Sequence, residues 1–127
     1  VDNFIKGYST DAAVDIIMEE GGTIPPGFSR VKLPAHYQPQ RGEVAIVSAR
    51  TSVLNAGIFT PVGLIDPLYE GTISAWVFNC SGIAYNYKAG DRLFSVVNLK
   101  LAPTRAIYEI VETNKRGKNK LGSSGGH

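Results

Sequence analysis

The residues able to do chemistry sit at four places in the chain. The first is Gly63-Leu64-Ile65-Asp66-Pro67-Leu68-Tyr69-Glu70-Gly71, where one carboxylate stands at a forced bend between two apolar arms. Pro67 pushes Asp66 out of the helical region, and Asp followed by Pro is the signature of a type I turn. Gly63 and Gly71 flank the bend, where backbone can approach a ligand with no Cβ in the way. Two readings fit: an ordinary hairpin with Asp66 as turn former, or a hairpin presenting a base to a bound molecule. The second place is Arg50-Thr51-Ser52, a cation and two hydroxyls at the start of a possible helical turn that Gly57 would stop. Thr and Ser are favoured N-caps and Gly a favoured C-terminal stop, so the triplet is either a capped turn or an anion site. In the anion site, free amides, a helix dipole and a guanidinium would meet at one point. The third is Asp15, a carboxylate among Ala12, Ala13 and Val14. The fourth is the tail from Arg116 to Gly126, basic and rich in glycine and serine. Gly117 to Ser124 nearly matches a phosphate-binding loop, but it lacks the helix and parallel-sheet unit that motif requires, so a Walker-type site is rejected. The tail is then a solvated flexible linker, or its glycine amides, its hydroxyls and Arg116 wrap phosphates.

Short strands must position these groups. A chain of 127 residues makes one domain with a real core. Fourteen glycines and seven prolines among short apolar runs favour a turn-rich β fold. Strands are predicted over 11–18, 28–33, 43–49, 72–79, 83–87, 92–101 and 106–112, with a loop over 34–42. About eight strands and one helical turn predict an all-β, jelly-roll-like or barrel-like fold. The domain is expected to span 1–112, with 113–127 as a flexible glycine-rich arm. Trp76, on the strand 72–79, reads as core or as a subunit contact.

Composition removes several function classes. A net charge of +2 is too small to argue for nucleic acid. Cys80 is the only cysteine, and His36 and His127 are the only histidines. A thiolate or histidine-rich metal centre is therefore not expected. No apolar run approaches the roughly 18 residues of a spanning helix, so no membrane partner is expected and the default location is cytoplasmic. The numbered chain begins with Val, which leaves room for a missing targeting segment.

Taken in order, these segments resemble the trimeric deoxyuridine triphosphatase (dUTPase) family over nearly the whole chain. Ala12-Ala13-Val14-Asp15-Ile16 is similar to the first of five family motifs, with Ala13 in place of Gly. Arg50-Thr51-Ser52 resembles the second. Gly63 to Gly71 matches the third closely, with Glu70 where Arg is frequent. Gly90-Asp91-Arg92-Leu93-Phe94-Ser95 resembles the fourth, with Ser95 in place of Gln. Arg116-Gly117 and Gly122-Ser123-Ser124-Gly125 resemble the fifth, with Lys120-Leu121 in place of Gly-Phe. The resemblance implies a jelly-roll-like (beta-clip) subunit, a homotrimer with shared sites, and Mg²⁺-assisted hydrolysis of dUTP to dUMP and pyrophosphate. It implies Asp66 as the base for the attacking water, and Tyr69 against the deoxyribose. Gly63, Leu64 and Ile65 would read the uracil edge. Arg50, Thr51 and Ser52 would hold phosphates, and Asp15 would meet Mg²⁺ through its waters. Arg116, Gly122, Ser123 and Ser124 would close over the triphosphate, and Leu121 would stand where an aromatic covers the base. Two rivals share the fold: a non-catalytic or regulatory nucleotide-binding trimer, and a dCTP deaminase. The deaminase needs a glutamate where Trp76 stands, and an indole does no acid–base work.

Overall fold

The structure, a computed structural model, describes residues 4–111. In chain order the elements are β1 (Phe4–Ile5), β2 (Ala13–Ile17), β3 (Gly22–Ile24), β4 (Gly27–His36), β5 (Glu43–Ala49), α1 (Thr51–Asn55), β6 (Ile58–Phe59), β7 (Gly63–Ile65), β8 (Thr72–Asn79), β9 (Tyr85–Tyr87) and β10 (Arg92–Lys100). All pairings are antiparallel. They form a five-stranded sheet in the order β1-β2-β10-β5-β7, a three-stranded sheet β4-β8-β6 and a two-stranded β3-β9. The all-β expectation holds, and the one short helix lies where Arg50-Thr51-Ser52 pointed.

Period-two alternation explains how the sheets close on each other. Along β8, Ile73, Ala75 and Val77 are buried while Trp76 and Phe78 are exposed, and β4 buries Val31, Leu33 and Ala35. Ile16, Ala45, Val47, Ile65, Phe94 and Val96 of the larger sheet join these residues in one core cluster. Each large side chain fully buried there contributes about 1.5–3 kcal/mol.

Local differences from the predicted elements have physical causes. β4 continues through Pro34 to His36, where a loop was expected, and its register with β8 shifts between Lys32 and His36. Proline cannot donate to a ladder, and a bulge absorbs the missing bond. Residues 106–111 of the last predicted strand form no strand, and Ile107, Tyr108, Ile110 and Val111 are exposed. A strand needs a partner, and among the described residues none pairs with 106–111. Neither Thr51 nor Ser52 caps α1: the N-cap is Arg50, in extended conformation and with no side-chain cap. Gly57 does stop the helix, with φ +87° and its N–H on the Leu54 carbonyl at 3.0 Å.

One polar group holds the end of β8. Asn79 is 2% exposed. Its amide donates to the carbonyls of Ile24 at 3.2 Å and Ile83 at 2.8 Å, and its oxygen accepts from the Ser81 N–H and hydroxyl. Replacing it with Ala orphans the carbonyl of the buried Ile24, at about 1–3 kcal/mol for a buried group left unsatisfied. Asn79→Ala should lower stability by at least about 1 kcal/mol in urea denaturation.

Candidate active site

The Asp66 bend does not close a hairpin ladder. β7 pairs with β5, matching Gly63 to Val47, Leu64 to Ile46 and Ile65 to Ala45, whereas β8 pairs with β4 and, at its end, β6. The chain changes sheets between Ile65 and Thr72. The turn itself is present, since the Tyr69 N–H donates to the Asp66 carbonyl at 3.2 Å. It is not the type I turn expected, because Leu68 at its third position has φ +66°. Positive φ there is the mark of type II, where glycine is the usual residue. A leucine so held costs on the order of 1–3 kcal/mol. Its surroundings hold it: the Leu68 N–H donates to the Pro39 carbonyl at 2.9 Å, and Gln38 Nε2 donates to the Leu68 carbonyl at 3.3 Å. Tyr69 packs beneath, 6% exposed, and its hydroxyl donates to the Thr72 carbonyl at 3.0 Å. Burial raises its phenol above the ordinary value. A Cβ on Gly71 would land on the Tyr69 ring, so that glycine serves the tyrosine.

The change of sheets leaves a cleft between β7 and β8. Its volume is about 390 Å³, and it is lined by Thr60 to Leu64, Val47, Asp66, and Ser74, Ala75 and Trp76 of β8. β7 is the edge of its sheet, so among the described residues no strand pairs the amides and carbonyls on its outer side, and Gly63 and Leu64 line the cleft. An apolar surface beside such an edge is complementary to a flat apolar ring whose rim carries donors and acceptors. Of the residues predicted around the bend, Gly63, Leu64 and Asp66 meet here. The Ile65 side chain is fully buried and faces the core, and Tyr69 does not line the cleft.

A second cluster gathers on the larger sheet. Ser95 of β10 stands opposite Asp15 of β2, and its hydroxyl donates to Asp15 Oδ1 at 2.7 Å. Arg50 Nε lies 3.3 Å and Arg92 Nη1 3.5 Å from Asp15 Oδ2. Arg50 Nη1 also donates to the Arg92 carbonyl at 3.1 Å. Arg92 and Ser95 are three residues apart and would face opposite ways in a regular strand. The register shift between Arg92 and Phe94 re-aims Arg92 to the Asp15 side, as bulges do. One carboxylate thus faces two guanidinium groups, leaving a net cation near the exposed hydroxyl-bearing Thr51 and Ser52. Ser95, which cannot reach as far as a glutamine, serves Asp15 instead.

Among the described residues no three His, Cys, Asp or Glu side chains gather to hold a metal. Both Asp15 oxygens are engaged by Ser95, Arg50 and Arg92, so Asp15 could meet Mg²⁺ only through waters and beside substrate phosphates, the way that ion is usually held.

The two clusters lie apart in one chain. The β5–β7 register ends with Ile65 opposite Ala45; continued by one residue it sets Asp66 near Val44, and Arg50 is six residues further along, roughly 20 Å at 3.3 Å per residue. Gly63 lies on the Arg50 side of Asp66. Sequence spacing does not single out Arg92 and Ser95 as site residues. The resemblance of Gly90 to Ser95 to a family motif is the available signal for both; that both meet Asp15 depends on the bulge between Arg92 and Phe94, which leaves no mark in the spacing. Arg116, Leu121, Gly122, Ser123 and Ser124 lie outside the described residues, as does the expected arm 113–127. The Ser95 hydroxyl, in a residue 8% exposed, makes a charge-assisted bond of a kind worth about 1.5–3 kcal/mol. Ser95→Ala should lower stability by that amount in chemical denaturation while leaving the far-ultraviolet circular dichroism unchanged.

Comparison with known proteins agrees with this geometry. The dUTPase family model matches residues 1–125. The deoxyuridine 5'-triphosphate nucleotidohydrolase of Kluyveromyces lactis is 28% identical over 124 residues, covering 94% of this chain and 84% of that protein. The solved structure of EIAV dUTPase superposes with a TM-score of 0.72 at 17% identity, covering 87% of this chain and 94% of that one. A mutant dUTPase from phage phi11 of S. aureus, described as coordinating a structural Mg(II) ion, superposes with a TM-score of 0.69 at 19% identity over 84% of this chain and 88% of that one. With motifs, fold and family model in agreement over almost its full length, the chain belongs to the dUTPase family of nucleotidohydrolases.

Proposed function

We propose that this protein hydrolyses dUTP to dUMP and pyrophosphate by attack of water on the α-phosphorus, in sites shared between three copies of the chain. The observation that carries the reading is the cleft between β7 and β8, open along backbone edges and rimmed by Asp66. A uracil ring has a flat apolar face and a rim of alternating acceptors and one donor. The outer edge of β7 at Gly63 to Ile65 offers complementary amides and carbonyls to that rim. Tyr69, as a rigid support under the turn, sets the wall on which the deoxyribose rests.

Asp66 takes a proton from water as the water oxygen bonds to the α-phosphorus. The bond from that phosphorus to the α,β-bridging oxygen breaks, and pyrophosphate leaves with the electron pair. Arg50 and Arg92 hold phosphate oxygens, Thr51 and Ser52 donate hydroxyls, and Arg116, Ser123 and Ser124 close over the chain of phosphates and exclude water. Mg²⁺, carried on the triphosphate and met by Asp15 through water, would neutralise charge building on the leaving group.

The direction of β7 argues for shared sites. With the base at Gly63 and the reacting phosphorus at Asp66, the triphosphate points away from the Arg50 of the same chain. Its cations must then come from another copy. The exposed Leu99, Leu101, Ile107, Tyr108, Ile110 and Val111 form an apolar run of the kind that marks an interaction site, and a neighbouring subunit is its natural cover. Analytical ultracentrifugation should give a trimer; an active monomer would refute shared sites.

The decisive assay is pyrophosphate release from dUTP. Asp66→Asn should retain the fold and the trimer yet lose at least about 10²-fold in kcat, the lower end of what a positioned base contributes. Undiminished turnover would move the base elsewhere. Nucleotide binding without turnover in the parent protein would instead identify a non-catalytic trimer.

A further inference from the structure

We infer that Trp76 is a wall of the base cleft, stacking its indole against the bound pyrimidine ring. This rests on the proposed dUTP reading. The β8 sequence reads as core or subunit contact at this position, yet the indole is neither buried nor clear of the cleft: it is 49% exposed and lines the same cavity as Gly63, Leu64 and Asp66.

The ring is held ready before any ligand arrives. Arg30 and Phe28 both come from β4, the strand paired with β8, where Arg30 stands directly opposite Trp76. The Phe28 ring centroid lies 5.4 Å from that of Trp76, and the Arg30 guanidinium carbon sits 5.7 Å from the indole centroid. Both brace the indole, whose remaining surface lines the cleft with Gly63, Leu64 and Asp66. An aromatic side chain fixed in this way gives up little rotamer freedom on binding, which is what preorganisation contributes to affinity.

The chain also has a need for such a wall. The fifth motif carries Leu121 where the resemblance implies an aromatic over the base. A second aromatic surface, on the strand that already borders the cleft, supplies stacking that the tail does not. A stacked ring stays remote from the phosphorus and interacts equally in ground and transition states. Its loss should therefore fall on KM and not on kcat.

Trp76 is the only tryptophan in the chain, so its fluorescence reports this one position. The full chain is titrated with dUMP, with deoxyribose 5-phosphate and with inorganic pyrophosphate, while calorimetry measures binding of the same probes. A saturable fluorescence change is expected with dUMP alone. Trp76→Val should weaken dUMP binding about two- to tenfold, the range for a lost aromatic pairing, and raise KM for dUTP by the same factor. Trp76→Phe should recover most of that loss, which a purely structural role would not require. If dUMP binds with the fluorescence unmoved, or Trp76→Val binds it as tightly as the parent, the inference is overturned. If the parent neither binds dUMP nor hydrolyses dUTP, the proposed function itself falls and takes the inference with it.

Discussion

The cleft beside Asp66 depends on β7 and β8 not pairing. Adjacent antiparallel strands joined by a short connection ordinarily zip together, and a zipped pair would consume the backbone groups that line the cleft. The chain prevents this by committing β7 to β5 and β8 to β4, so the corner between them must carry the chain from one sheet to the other. Leu68 absorbs this sharp corner with its positive φ. Pro39, Gln38 and the buried Tyr69 hold it in place. The strain stands next to Asp66, which is where a fold has reason to fix a carboxylate so firmly.

The charge cluster obeys a different constraint. Asp15 sits on the central part of the larger sheet with a side chain only 16% exposed, where an unpaired carboxylate would be costly. Ser95 and the two arginines meet that need, and the arginines are in turn aligned by it. Arg50 is bound to both Asp15 and the Arg92 carbonyl, so its guanidinium is oriented with no ligand present. Under the proposed function, a group that stabilises the free fold also prepares the surface that would hold phosphate, since cation exceeds carboxylate there.

Much of this is legible in the sequence, and the failures share a cause. β5 and β8 run over the residues their apolar pattern marks, Glu43–Ala49 and Thr72–Asn79. Gly57 ends the helix because only glycine takes its φ without strain. These are local effects, encoded in a few neighbouring residues. The turn type at Leu68 escapes a local reading because Asp-Pro favours type I, while the change of sheet demands positive φ at the third position. Pro34 looks like a strand breaker because a bulge that tolerates it depends on the partner strand. Arg92 is hidden for the same reason: spacing from Ser95 sets it on the wrong face, and only the register with β2 turns it. Register and sheet membership are long-range properties, and a pattern read along one strand does not contain them.

The polarity of β5 draws these pieces together. One end of that strand leads directly to Arg50 and the other runs beside Asp66, with Val47 between them on the cleft. A strand paired on both sides, by β10 and β7, holds the two halves at a fixed spacing of roughly 20 Å. Under the proposed function, edge, carboxylate and cations meet on one substrate when they come from different copies. Assembly would then be a condition of activity. The apolar run near the end of the described chain, exposed in a single copy, would be buried by the same association that completes the site.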